Sequence, residues 1–241
     1  MLENNPARSR LAVALDVPNL AGAGNLLTAL SGKVGYFKVG LELFSASGPD
    51  AVRTVIASGT RVFVDLKLND IPNTVRRAVR SLAGCGASLC TIHASGGSKM
   101  IEAAVKEAED SGTGMKIIAV TVLTSLDESA IGEIGMTGGT AASTERLLRL
   151  SIKAGAHGCV MSPLECSAAR KIAPPGFIIV TPGIRSAADA VGDQARIATA
   201  GDAVRNGSDL LVVGRPITAA ANPAERAEEI LREISDAIKC R

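Results

Sequence analysis

The chain has 241 residues, 46% of them hydrophobic and 21% charged, which is enough for one sizeable core and lies within the length of a single α/β barrel. A net charge of +2 and only five aromatic rings (four Phe, Tyr36, no Trp) give neither the basic field nor the stacking platform that a nucleic-acid partner needs. The opening MLENNPARSR carries Glu3 and runs into LAVALDV, which Asp16 interrupts, so neither a secretory signal nor a membrane span is expected and a cytoplasmic location is.

Along the chain, eight short runs rich in β-branched residues alternate with helix-compatible stretches. The runs are RLAVALD (10–16), GYFKVGLE (35–42), RVFVDLK (61–67), SLCTIHA (88–94), KIIAVTVL (116–123), HGCVMS (157–162), FIIVTPG (177–183) and DLLVVGRP (209–216). Helices are expected over LAGAGNLLTAL, IPNTVRRAVRSLAGCG, KMIEAAVKEAED, STERLLRLSIKAG, DQARIATAGDAVRNG and PAERAEEILREISDAIK, with Gly59, Gly86, Gly155 and Gly207 as stops. Eight β then α units without a linker or low-complexity tract favour a closed (β/α)8 barrel, a TIM barrel, over an open sheet. Residues 1–241 read as one domain, with 1–9 a short N-terminal extension.

The cysteines (85, 90, 159, 166 and 240) are odd in number, form no CxxC pair and mostly lie in apolar or helical surroundings, as buried thiols of a reducing compartment do. With His93 and His157 the only histidines, a histidine-rich metal site is not expected.

In a barrel, polar residues at the C-terminal strand ends form the active face. Here they are Asp16, Asp65, Lys67, His93, Thr124, Ser162, Arg185 and Arg215. The densest group is DLKLNDIPNTV (65–75). Strand alternation puts Val62, Val64 and Leu66 on one face and Phe63, Asp65 and Lys67 on the other, so acid and amine point the same way. Either a structural ion pair or a site explains this. Lys38, in YFKVG with Gly40 and Glu42 on its own face, should reach Asp65 from the neighbouring strand, and three charges converging from two strands exceed what register requires. Asp70, followed by Ile71 and Pro72, reads by itself as a helix N-cap with Pro in the first turn.

TPGIR (181–185) after the seventh strand and VVGRP (212–216) after the eighth occupy the positions where (β/α)8 enzymes often hold a phosphate, and each offers an arginine. A small phosphorylated ligand is therefore expected. His93 is as readily a mouth hydrogen-bonding residue as a ligand contact. MTGGT (136–140) has no following GK[ST] and reads as a connection before a helix, while Ser95, Ser125 and Ser162 lack partners for a nucleophilic triad.

Taken together, FKVGLELF, DLKLNDIPNTV, TIHASGG, TVLTS, TPGIR, DQ and VVGRPI closely resemble the orotidine 5'-phosphate decarboxylase family, bacterial type, over Asp16 to about Ile217. The resemblance implies a carboxy-lyase that converts orotidine 5'-monophosphate to uridine 5'-monophosphate, the last step of de novo pyrimidine nucleotide biosynthesis, without a metal or organic cofactor. It implies a homodimer with active sites at the interface, where Lys38, Asp65 and Lys67 of one subunit are completed by Asp70, Ile71 and Thr74 from the other. It further implies that Asp16 binds the ribose hydroxyls, that Thr124 contacts the pyrimidine, that Pro182 binds substrate, and that Arg185, Gln194, Gly214 and Arg215 hold the phosphate end, Gln194 from a mobile loop. The competing expectations are a metal-dependent sugar-phosphate aldolase or decarboxylase on the same barrel, which needs carboxylate ligands for a hard divalent ion, and a non-catalytic nucleotide-binding barrel.

Overall fold

The computed structural model describes residues 6–185 and 197–240. Eight parallel strands run in sequence order around a closed barrel: β1 (Leu11–Ala14), β2 (Tyr36–Val39), β3 (Arg61–Leu68), β4 (Leu89–His93), β5 (Lys116–Val120), β6 (Gly158–Val160), β7 (Ile178–Thr181) and β8 (Leu210–Val213). Closure is seen at β1, which pairs Ala12 with Tyr36 of β2 on one side and with Val212 of β8 on the other. The expected (β/α)8 architecture is thus the observed one.

The helices are α1 (Pro6–Ser9), α2 (Leu20–Ala29), α3 (Leu41–Ser47), α4 (Pro49–Ala57), α5 (Pro72–Gly84), α6 (Ser98–Asp110), α7 (Glu128–Glu133), α8 (Gly139–Lys153), α9 (Cys166–Ile172), α10 (Ala200–Arg205), α11 (Arg215–Thr218) and α12 (Pro223–Lys239). The final helix coincides with PAERAEEILREISDAIK; Asn222 caps it by accepting from the Glu225 amide, and Pro223 fills its first position. All four expected glycine stops have positive φ, a conformation a side chain at Cα disfavours. Residues 6–9 of the expected extension fold as α1, whose Ala7 is buried. No helix among the described residues is long and apolar enough to cross a membrane.

Two apolar layers follow from the period-2 alternation of the strands. Val62 and Val64 of β3 join the larger layer between sheet and helices, with Leu11, Val13, Phe37 and Ile92. Phe63 faces inward and packs with Ala12, Leu89, Ile118, Val180 and Leu210 in a small layer inside the barrel. Each fully buried Val, Leu, Ile or Phe side chain contributes roughly 1.5–3 kcal/mol relative to exposure, so the outer layer carries most of the stability. The inner layer instead makes a floor beneath the C-terminal mouth.

Several expectations about local structure are corrected. Strand β2 ends at Val39; Gly40 becomes the N-cap of α3, so Glu42 lies in a helix and not on the strand face of Lys38. Asp70 is not the N-cap of α5. That place belongs to Ile71, at φ −57° and ψ 149°, because a residue before proline is driven out of helical geometry. The Asp70 carboxylate instead accepts from the Ile71 amide at 2.6 Å. Helix α8 starts at Gly139, inside MTGGT, four residues before the expected STERLLRLSIKAG. Of DQARIATAGDAVRNG, the helical part among the described residues is Ala200–Arg205, capped by Thr199. Helix α5 is braced on α6 by Glu107, a buried carboxylate that accepts from Arg76 at 3.1 Å and is also hydrogen-bonded by Arg80.

Candidate active site

The C-terminal mouth opens into a cavity of about 290 Å³. Asp16, just past β1, Lys38 on β2 and Asp65 and Lys67 on β3 charge one side of it; Pro182, Arg185, Gly214 and Arg215, after β7 and β8, line it as well, as does Thr124 beyond β5.

The charges alternate in sign along an unbroken line. Lys38 Nζ lies 3.2 Å from Asp16 Oδ1 and 3.4 Å from Asp65 Oδ2, and Lys67 Nζ donates to both Asp65 oxygens at 2.9 Å. Burial alone pushes the Asp65 carboxyl up, but the Lys38 and Lys67 ammoniums and the hydrogen bonds from Lys67 and Thr91 outweigh it, and the carboxyl stays below the ordinary range. The acid is therefore ionised at neutral pH. Gly40 is required by close approach rather than by its dihedrals: a Cβ there would sit 2.8 Å from Lys38 Nζ and 3.0 Å from Asp16 Oδ1.

Lys67 owes its aim to an irregularity in β3. Val64 pairs with Cys90 and Leu68 with Ile92, so Asp65, Leu66 and Lys67 face Thr91 alone. The surplus length bulges the strand, and Lys67 takes φ 51°, the one positive φ outside glycine among the described residues. Bulges of this kind re-aim a side chain next to active sites.

The remaining sequence candidates divide. Asp70, Ile71 and Thr74 are exposed at the start of α5 and do not line this cavity; Ile71 is 67% exposed, an unusual degree for its type. His93 is half-buried beside the charged line without lining the cavity, and burial followed by the Lys67 charge lowers its pKa against the opposing pull of Asp65. Ser162 is fully buried and accepts from the Leu164 amide, away from the cavity. Gln194 lies outside the described residues. Missed from sequence were the apolar wall, with Val120, Leu123, Val160 and Val180, and the buried Thr91. The inward register of Thr91 between Leu89 and His93 was the signal that pointed to it.

All five cysteines carry free thiols. Burial pushes those of Cys90 and Cys159 up to about 12, which makes them inert packing groups. Among the described residues no three His, Cys, Asp or Glu side chains are grouped to share a metal ion.

A closed parallel barrel with an ordered array of alternating charges at its C-terminal mouth and two arginines after its last strands has the make-up of a (β/α)8 enzyme for a small anionic substrate. The family model described as "Orotidine 5'-phosphate decarboxylase / HUMPS family" matches residues 9–230, and the chain belongs to that family. Among curated relatives, the orotidine 5'-phosphate decarboxylase of Anaeromyxobacter sp. (strain K) is 51% identical over 92% of this chain and 96% of its own, and that of Moorella thermoacetica 46% identical over 95% and 93%. Among solved structures, the Lactobacillus acidophilus orotidine 5'-phosphate decarboxylase superposes with a TM-score of 0.81 at 34% identity, covering 93% of this chain and 98% of that one. The Pyrococcus horikoshii enzyme of the same name gives 0.75 at 28% identity, covering 93% and 99%.

Proposed function

We propose that this chain removes the carboxylate from orotidine 5'-monophosphate to give uridine 5'-monophosphate, as the last step of de novo pyrimidine nucleotide synthesis in the cytoplasm. The observation that carries the reading is the line Asp16, Lys38, Asp65, Lys67, which sets an ammonium against a carboxylate on one side of a cavity whose lining also includes Arg185 and Arg215.

The chemistry needs both signs of charge. When the bond from C6 to the carboxylate breaks, the electron pair stays on C6, where the ring offers no adjacent sink. The Lys67 ammonium stabilises that pair and then gives C6 its proton, acting as general acid, and solvent restores the proton to the amine. Asp65 stands near the departing carboxylate. Two unit charges about 4 Å apart repel by on the order of 4 kcal/mol at an effective dielectric near 20, and the push ends when the group leaves as neutral carbon dioxide. Lys38 keeps Asp65 ionised and in place, and the scheme calls on no metal or organic cofactor.

At the other end, Arg185, Arg215 and the backbone N–H of Gly214 grip the phosphate while Pro182 lines the cavity beside them, and Gln194, outside the described residues, is assigned to the same end. Asp16 takes the ribose hydroxyls and Thr124 the pyrimidine. Phosphate contacts remote from C6 order the site and so raise turnover as well as affinity. The chain acts as one domain and as a homodimer without nucleic-acid partners, in which Asp70, Ile71 and Thr74, exposed here, complete the neighbouring subunit's site.

A spectrophotometric assay with orotidylate tests the proposal. Turnover should be unchanged by EDTA or added magnesium. Loss of activity with chelator, or reaction of a pentulose or hexulose phosphate in place of orotidylate, would transfer the chain to the metal-dependent sugar-phosphate branch.

A further inference from the structure

We propose that Thr91 is a positioning residue for the reaction above: its hydroxyl holds the backbone of Lys67 and the carboxylate of Asp65 in one fixed arrangement, so that the ammonium cannot drift from its firing position.

The bulge in β3 takes the Lys67 amide out of the regular ladder between β3 and β4. A buried backbone N–H must find another acceptor, and it donates to Thr91 Oγ1 at 2.9 Å. A threonine hydroxyl has a single hydrogen, and this one goes to Asp65 Oδ1, also at 2.9 Å. The direction of both bonds is thereby set. Lys67 is tied at two ends, since its amide reaches Asp65 through Thr91 while its Nζ reaches both Asp65 oxygens directly.

Thr91 itself is completely buried and does not line the cavity, so it acts through its two neighbours and touches no substrate. Its β-branch suits the task, because such a side chain has few χ1 choices and keeps its oxygen in one place. The hydroxyl also supplies one of the hydrogen bonds that keep Asp65 ionised. Among the described residues, Lys38 from β2, Lys67 from β3, and Cys90 and His93 from β4 are the other titratable groups that bear on this spot.

The inference rests on the decarboxylase reading for its kinetic part only. Thr91→Val keeps the volume and removes both bonds. It is expected to lower kcat for orotidylate about 10- to 100-fold, the usual range for a hydrogen bond to a charged group, with KM close to wild type. Thr91→Ser should recover most of that loss, and Thr91→Ala serves as the second deletion should the valine variant fold poorly. Amide hydrogen exchange at Lys67, measured without substrate, should be slow in the wild type and Thr91→Ser and fast in the deletion variants. Wild-type kcat together with slow Lys67 exchange in Thr91→Val would overturn the proposal, as would a serine variant no better than the valine one. A wild-type chain inert toward orotidylate would count against the decarboxylase reading alone, since the exchange comparison still decides the role of Thr91.

Discussion

Lys67 and Arg215 sit at opposite ends of the proposed chemistry, and their substitutions should fail in different ways. Lys67→Ala removes the proposed proton donor, so kcat for orotidylate should fall to near the limit of detection while a product-like nucleotide still binds through its phosphate; wild-type-like turnover would remove Lys67 from the mechanism. Arg215→Ala leaves the charged line intact and deletes the proposed phosphate contact. Its KM should rise roughly a hundredfold or more, the scale for truncating one partner of a charged pair, and a change of only a few-fold would relocate the phosphate end. Much of this was legible from residue types and alternation. The sharing of a face by Asp65 and Lys67 and the reach of Lys38 to Asp65 needed only period 2 and neighbouring strands. What sequence could not give was the bulge at Lys67, because two surplus residues keep both charges inward and look the same as regular alternation until pairing is seen. Nor did it reveal that Asp16, two residues past the end of β1, joins the line through Lys38 of the paired strand β2.

Elements were easier to find than to delimit. All eight strands were recognisable from β-branched runs, yet β2 stops at Val39, because Gly40 and the helix-forming LELF pull the chain into α3. Short helices such as α7 and α9, only six or seven residues long, carry too little periodicity to stand out from loops. The entry into β5 and β6 yields a prediction about stability. His157 Nδ1 accepts from the Ile117 amide at 3.1 Å, a bond across 40 positions that stitches the start of β5 to the approach to β6. Burial, followed by the Lys116 charge, lowers the His157 pKa, against a weaker opposing pull from Glu109. The unfolded chain, titrating near the usual value of about 6.5, then binds the proton more readily than the folded one. The stabilisation is full above that pH and is lost as pH falls below it. The melting temperature should therefore drop between pH 7.5 and 5.5, and His157→Asn, whose side-chain oxygen still accepts the Ile117 proton, should flatten that dependence. His93 is shifted in the same direction and leaves a residual slope. A variant with the full wild-type slope would place the titration elsewhere.

At the scale of the whole molecule, the turn into α5 and its first turn present Asp70, Ile71 and Thr74 outward, clear of the cavity in their own chain. The homodimer proposal gives them a use, and mixed subunits test it. Lys67→Ala and Asp70→Ala homodimers, each nearly inactive, should regain activity when mixed, because one kind of hybrid site combines both intact residues. Absence of recovery despite demonstrated subunit exchange would argue that each chain works alone. The floor of the cavity has a separate implication. Phe63, 1% exposed and packed with Leu89, Ile118, Val180 and Leu210, plugs the barrel from below. Among the described residues the chamber is a blind alley, so nucleotide on its way in and carbon dioxide and product on their way out share the doorway at the C-terminal mouth.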